Sequence, residues 1–361
     1  MGIIQFVPEL PPAINGLGDY ALNLARQLRQ EFGKETLFVV GDPNWEGDRQ
    51  IEGFPISVLA KRSGAAVLSL LIEACSSPTP VLLHYVGYGY ARRGCPVWLV
   101  DGLERWHKAD VNHSLVTMFH ELYAFGPPWA SSFWLSPLQK NLASRLARLS
   151  DRILTSRQDY AKSLHQLSRG KHATIPTYPV FSNIGEPERM LPLVQRKRRL
   201  VLFGHRNTRL LAYQQHLSAL QQTCLSLEIE EVCDIGVPTG LNLPQLLDIP
   251  IVEMGVTQAT EIRQALLDAI AGFLSYPPPI YLAKSTIFAA YCAHQLIPIL
   301  TSSNAVPVDG LEAGKHYWVA DEQIEPLSLD AGEAIADNAY AWYQTHNLSV
   351  QAKIFASHLS H

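Results

Sequence analysis

The chain has 361 residues and a formal net charge of −4, with hydrophobic residues at 47% and charged residues at 17%. That much apolar material builds packed cores, and the length fits one large domain or two ordinary ones. A mildly acidic balance speaks against nucleic acid as the partner, and no run reaches the ~18–20 apolar residues of a membrane span.

The first predicted element is a strand, IIQFV (3–7). Before and around it, the start MGIIQFVPELPP lacks the basic head and long apolar stretch of a secretory signal, and Phe6 breaks the myristoylation pattern. The five cysteines, at 75, 95, 224, 233 and 292, form no C-x-x-C pair and read as reduced core thiols. A cytoplasmic protein is expected, with contact at the inner face of a membrane left open.

The strand leads into PPAINGLGDYALNLARQL (11–28), where two prolines and two glycines precede a helix. Tyr20, Leu24, Ala25 and Leu28 fall on one face of that helix. Glycine lets a ligand approach the backbone, and a helix start offers free N–H groups and a positive dipole end. The stretch Asn15-Gly16-Leu17-Gly18-Asp19 therefore reads either as a loop touching a diphosphate or an acceptor, or as a plain turn with Asp19 as the helix cap. It is not the dinucleotide fingerprint, because the gap from strand to glycine is too long.

Apolar runs at 36–40, 80–86, 114–119 and 152–155 read as further buried parallel strands. Leu138, Leu142, Leu146 and Leu149 share a helical face between the last two. Strand–helix alternation of this kind predicts a doubly wound parallel sheet. In LHYVGYGYARRG (83–94), His84, Tyr85, Tyr88 and Tyr90 surround two glycines at a strand's carboxyl end. That set suits a sugar or aromatic acceptor, or a turn over the core. In MFHELYAFGPPWASSFWL (118–135), His120 and Glu121 end a buried strand, where packing alone explains an ionisable pair poorly. The aromatic stretch that follows, with Lys140, Arg145 and Arg148 on the next helix, fits a lipid interface or an ordinary amphipathic helix on the sheet.

Residues 176–199 break the rhythm with four prolines and the basic cluster Arg196-Lys197-Arg198-Arg199, which mark a linker. The alternation then restarts: strands at 200–204, 249–255, 271–276 and 296–300, and helices at 209–222, 260–269 and 285–294. Residues 330–361 carry one more helical pattern. FGHRNTR (203–209) sets Arg206 and Arg209 between a strand and a helix, and guanidinium forks match phosphate oxygens. In YLAKST (281–286), Lys284 and Ser285 open a helix; a lysine there opposes the dipole unless an anion lies between them. No D-x-D, no phosphate loop ending in G-K-[ST] and no Cys/His set with zinc spacing occurs, so no metal or cofactor is expected.

Taken together, the glycine loop after the first strand, the strand-end His120-Glu121, the proline-rich linker, the Gly204–Arg206 turn and the late strand–helix unit resemble the retaining glycosyltransferases of the GT-B fold. GLGDYALNLARQL is similar to the N-terminal loop of family 4, FHEL to its strand-end histidine motif, and residues 275–300 to its donor-binding unit. The resemblance implies two Rossmann-like α/β domains facing across a cleft. Residues 1–178 would form the acceptor-side domain, 179–198 the linker and 199–335 the nucleotide-sugar domain, with 336–361 a helix returning to the first. It implies transfer of a sugar from a UDP- or GDP-linked donor to a saccharide, lipid-linked or small-molecule acceptor. Gly16 and Gly18 would lie near the donor phosphates and the acceptor, with Asp19, His84 and Tyr88 on the acceptor side. His120, with Glu121, would serve the donor sugar; Arg206 and Arg209 would meet the diphosphate; Met254 and Gly255 would flank the base. The family's two glutamates, seven residues apart, are missing from 275–300, where Lys284 and Ser285 offer a different donor grip. The competing readings are a nucleotide-sugar epimerase of the same fold and a catalytically silent relative serving as a binding or scaffold subunit.

Overall fold

A computed structural model describes residues 2–74, 79–243, 248–320 and 326–360, so Cys75 lies outside the described residues. The chain divides into two compact units, Met1–Pro179 with Leu348–His361, and Val180–Asn347.

The first unit holds strands β1 (Ile3–Val7), β2 (Thr36–Val40), β3 (Gln50–Ile51), β4 (Phe54–Val58), β5 (Val81–Tyr85), β6 (Leu115–Phe119) and β7 (Arg152–Thr155). They form one sheet in the order β3-β4-β2-β1-β5-β6-β7. Every pairing is parallel except that of β3 with β4. All positions of β1, β5 and β6 are buried, as expected of strands covered on both faces. The covering helices include α1 (Gly16–Phe32), α2 (Gly64–Ala74), the single turn α3 (Gly87–Tyr90), α4 (Val97–Ala109), α5 (Ser131–Leu149) and α6 (Gln158–Leu167). From β1 the chain winds outward through β2 to β4, then returns to add β5, β6 and β7 on the other side. The order therefore reverses between β1 and β5, and ligands of such sheets sit in the crevice outside the carboxyl ends at that point.

Helix α1 shows how local sequence fixes this geometry. Asn15, and not Asp19, is its cap: the Asn15 side chain accepts from Leu17 N–H at 3.0 Å, while Asp19 lies within the first turn. Gly33 ends the helix in the left-handed region at φ 60°, with its N–H on Arg29 O. Tyr20, Leu24, Ala25 and Leu28 are all buried, as their spacing predicts.

The second unit repeats the plan with a six-stranded, all-parallel sheet. Its strands are β8 (Arg199–Phe203), β9 (Glu231–Ile235), β10 (Ile251–Gly255), β11 (Ala271–Leu274), β12 (Ile297–Leu300) and β13 (Trp318–Val319). The order β10-β9-β8-β11-β12-β13 reverses between β8 and β11. Helices α7 (Arg206–Gln215), α8 (Leu217–Ser226), α9 (Ala259–Asp268), α10 (Thr286–Ala293) and α11 (Leu329–Gln344) complete it. Leu200, Leu202, Phe273, Ile297 and Ile299 form the centre of its core.

Two helical stretches differ from expectation. Residues 209–222 are parts of two helices, because His216 N–H reaches back to Leu211 O, five positions away, and the winding breaks there. Residues 330–361 likewise split into α11 and α12 (Leu348–His358) across a Thr-His-Asn turn of weak helix formers. Helix α12 belongs to the first unit, where it packs on α1.

Candidate functional site

In the first unit the carboxyl ends of β1, β5 and β6 gather most of the singled-out residues. Helix α1 starts there, with Gly16 exposed in its first turn. Gly18 is buried, and a Cβ on it would lie 2.6 Å from Glu9 O, so glycine here lets the helix rest on the 9–10 backbone. Asp19 is half-buried, and burial pushes its carboxyl pKa up against the lowering pull of Arg26.

His84 stands on β5 and His120 directly follows β6. Their rings stack at 5.5 Å between centroids, and His84 Nδ1 lies 3.2 Å from His120 Nε2. His84 Nε2 lies 2.9 Å from Gln5 Oε1 on β1. His84 is wholly buried and both its ring nitrogens are engaged inside the protein, so the expected contact between His84 and an acceptor is corrected: the residue is an interior link. Burial holds its pKa down to about 3, which keeps the ring neutral. His120 is 8% exposed and is the member of the pair nearer the surface. Glu121, half-buried beside it, joins the same strand end through its N–H on Tyr85 O at 3.4 Å.

Tyr20 of α1 presents its ring edge-on to both histidines, at 5.7 Å from His84 and 5.0 Å from His120. Its hydroxyl donates to Gln351 Oε1 on α12 at 2.8 Å. Sequence reasoning missed Gln5 and Gln351. The one signal for Gln5 was a lone polar residue inside IIQFV, which a buried strand has to satisfy.

Tyr88, on α3, is 44% exposed and accepts a hydrogen bond from Gln139 Nε2 at 3.2 Å, which ties α3 to α5. Around the start of α5, Phe125 is 82%, Trp129 87% and Trp134 71% exposed. Residues 122–150 contain no Asp or Glu.

In the second unit the sheet order reverses where β8 ends in the Gly204-His205-Arg206 turn. Helix α7 starts at Arg206, with His205 Nδ1 accepting from Asn207 N–H. Arg206 is exposed; its Nε and Nη2 donate to Pro238 O (3.1 Å) and Thr239 O (2.6 Å), and among the described residues it has no carboxylate partner. Arg209 was expected beside it as a second phosphate ligand. It is instead 2% exposed and paired with the fully buried Asp234, while its other nitrogens reach Gly204 O and Val237 O. The Arg209 charge is thus committed inside the unit, and the guanidinium fastens the two glycine turns after β8 and β9. Gly236, at φ 140°, is the second of these; a Cβ there would fall 2.5 Å from Gly204 O. Tyr213 donates to the other Asp234 oxygen at 2.7 Å, and burial raises the Asp234 pKa.

Met254 occupies a bulge at the end of β10, half-exposed, with its sulfur 3.0 Å from Cys233 Sγ. Gly255 follows and accepts the Gly236 N–H at 2.9 Å. Lys284 is half-buried, 5.2 Å from the Tyr281 ring centroid, and ends the 3-10 turn Pro279–Lys284 two positions before α10. Ser285 is the cap of α10, its Oγ accepting from Phe288 N–H at 3.2 Å. Among the described residues no group of three His, Cys, Asp or Glu is arranged to hold a metal ion, and no helix is long and apolar enough to cross a membrane.

The fold so built is the GT-B fold of known glycosyltransferases. The chain is similar to an alpha-glucosyltransferase solved in complex with UDP, at a TM-score of 0.60 and 10% identity over 99% of each chain. It is similar to the pneumococcal O-GlcNAc transferase GtfA in complex with UDP and GlcNAc, at 0.63 and 8% over 99% of this chain and 98% of the other. A third likeness is to WaaG, a glycosyltransferase involved in lipopolysaccharide biosynthesis, at 0.57 and 10% over 99% and 100%. At such identities the likeness shows the fold alone. No protein-family profile matches the chain, and no characterised protein matches it by sequence.

Proposed function

We propose that this chain transfers a glycosyl group from a nucleotide-sugar, UDP- or GDP-linked, to a saccharide or lipid-linked acceptor, without a metal. The observation that carries the reading is positional. Gly16 opens the helix after β1, His84 lies on β5 and Arg206 opens the helix after β8, so each unit carries singled-out residues on or after a strand at which the sheet order reverses, which is where sheets of this kind hold ligands. That structural neighbours were solved with UDP supports the donor class.

Glycosyl transfer builds positive charge on the sugar and releases a negatively charged nucleoside diphosphate. Arg206, Lys284 and the N-termini of α7 and α10 would stabilise that leaving group, as oriented positive ends do in a water-excluded site. Arg209 would act through position, by holding the turns that carry the backbone amides. Gly255 and Met254 would lie beside the base. In the first unit His120, with Glu121, would meet the donor sugar, and Gly16, Gly18, Asp19 and Tyr88 would border the acceptor. Retention of the anomeric configuration is the expected outcome, and the exposed aromatics of 125–134 would let the enzyme reach a lipid-linked acceptor at a membrane surface.

The absence of glutamate from 275–300 favours a second reading, a silent relative that binds without turnover. Incubation with UDP- and GDP-sugars separates the two. Acceptor-dependent release of the nucleoside diphosphate is the predicted result. Conversion of the sugar without any acceptor would indicate an epimerase instead. Thermal stabilisation by UDP or GDP, about 2.7 kcal/mol at a hundredfold excess over Kd, with no turnover would indicate the silent relative.

A further inference from the structure

Between β5 and α4 the chain makes a short closed turn that carries two adjacent arginines. Helix α3 follows β5 directly, and Ala91-Arg92-Arg93-Gly94 follow α3. The turn is closed by the Ala91 N–H on Gly87 O at 3.1 Å and the Gly94 N–H on Ala91 O at 2.7 Å. Gly94 lies in the left-handed region at φ 69°, and a Cβ there would fall 2.7 Å from Gln139 Nε2 and 2.9 Å from the Tyr88 ring. Gln139 of α5 is only 1% exposed, and its whole amide serves this end of the sheet. Its Nε2 donates to Arg93 O at 2.9 Å and to the Tyr88 hydroxyl at 3.2 Å, and its Oε1 accepts from the Ala124 N–H at 2.8 Å. One buried side chain thus fixes Tyr88, the Arg93 backbone and the loop after β6 against one another.

The turn so fixed presents charge without a counter-charge. Arg92 and Arg93 are both exposed, and among the described residues neither has a carboxylate partner. Lys140, next to Gln139 and also exposed, likewise pairs with no carboxylate among them; its Nζ lies 5.8 Å from the Tyr123 ring centroid. Residues 81–100 contain no Asp or Glu, and neither do 122–150. Of the acids in between, Asp101 and Glu104 hold Arg145 at 2.6 and 2.9 Å, and Asp110 accepts from the Asn112 N–H. Adjacent guanidiniums repel each other, and a phosphate between them relieves that repulsion while matching both forks. A merely solvated pair needs no buried tether, whereas this one hangs from β5, a strand at which the sheet order reverses.

We propose that Arg92 and Arg93, with Lys140, seat a phosphate of the acceptor, so that the acceptor is a phosphorylated saccharide rather than a neutral one. This rests on the glycosyl-transfer reading, which assigns the donor diphosphate to Arg206 and Lys284 of the second unit and leaves the seat in the first unit to the acceptor. Tyr88 supplies a ring and a hydroxyl beside the seat for the sugar itself.

Arginine side-chain Nε–H signals report the seat directly. In ¹⁵N-arginine-labelled protein, Arg92→Lys and Arg93→Lys assign the two signals by their disappearance. The titration is run at mildly acidic pH and about 150 mM salt, where loose surface attraction is screened. Glucose 6-phosphate is expected to shift both signals and to saturate, with inorganic phosphate competing; glucose is expected to shift neither. In calorimetry the double variant Arg92→Ala, Arg93→Ala should bind glucose 6-phosphate about tenfold more weakly. Tighter binding of farnesyl phosphate, reversed by Phe125→Ala, would support the seat and give its phosphate to a lipid-linked acceptor; no such gain would support a soluble one.

Two unmoved arginine signals, or equal responses to glucose and glucose 6-phosphate, overturn the proposal. So do signals that shift with vesicles containing about one third phosphatidylglycerol and not with glucose 6-phosphate, which would make the turn a membrane contact. Glycosyl transfer fails separately. If both arginines hold glucose 6-phosphate while no UDP- or GDP-sugar releases its nucleotide to any acceptor, the seat stands and transfer falls. If neutral and phosphorylated saccharides accept sugar equally, in wild type and double variant alike, transfer stands and the seat falls.

Discussion

Burial sets the charge state of several histidines, and so the response of the fold to acid. His84, His294 and His346 are all buried, and desolvation lowers their pKa values to about 3, 4 and 3. In the unfolded chain each would titrate near its ordinary value of about 6.5. Above that pH they are neutral in both states and stability is unaffected. Below it the unfolded chain takes up protons that the folded chain refuses, so stability is lost as pH falls from about 6.5 towards the folded values. The slope is about 1.4 kcal/mol per pH unit for each histidine once the unfolded form is charged. Urea midpoints measured at pH 7.5, 6 and 5 should fall steadily across the last interval; a flat profile would contradict the buried neutral state. The same scale explains why Arg206 and Arg209 could not be told apart in sequence. They lie three positions apart on one helix, and only the fold reveals that Asp234, from the next strand, claims Arg209. His84 was legible as polar and strand-borne, but not as doubly engaged, since Gln5 and His120 lie far from it along the chain.

Elements with a strong period were legible. The β-branched and leucine-rich runs of β1, β2, β6, β8 and β12 are buried strands because only a sheet covered on both faces uses them. The short antiparallel pair β3–β4 was not, because two residues of β3 carry no period at all. The break at His216 depends on a single backbone hydrogen bond rather than on composition. Helix α5 carries its own prediction. Its buried face, Leu142, Ala143 and Leu146, packs on the sheet, while its first turn and the preceding loop expose Trp129, Phe133 and Trp134 beside Lys140. Tryptophan at a surface with no nearby carboxylate in the sequence suits an anionic lipid interface. Co-sedimentation with vesicles containing about one third anionic phospholipid should retain the wild type and lose most of the double variant Trp129→Ala, Trp134→Ala, a drop of about tenfold. Equal retention of both, or none of the wild type, would remove the membrane from the account.

At the scale of the whole molecule, one proline-rich stretch separates two repetitions of the same winding, and that repetition makes the fold class legible in the sequence. The terminal return could not be placed as well: α12 rather than a helix from 336 joins the first unit, because the Thr345–Asn347 turn ends α11 there. The glycosyl-transfer reading needs the second unit to hold a nucleoside diphosphate at the reversal between β8 and β11, with Arg206 and Lys284 as the charged contacts. Titration calorimetry with UDP and GDP measures this most directly. One of the two nucleotides is predicted to bind the wild type, and its affinity to fall by about tenfold in Arg206→Ala and again in Lys284→Ala. Binding of neither nucleotide, or undiminished affinity in both variants, would contradict the account.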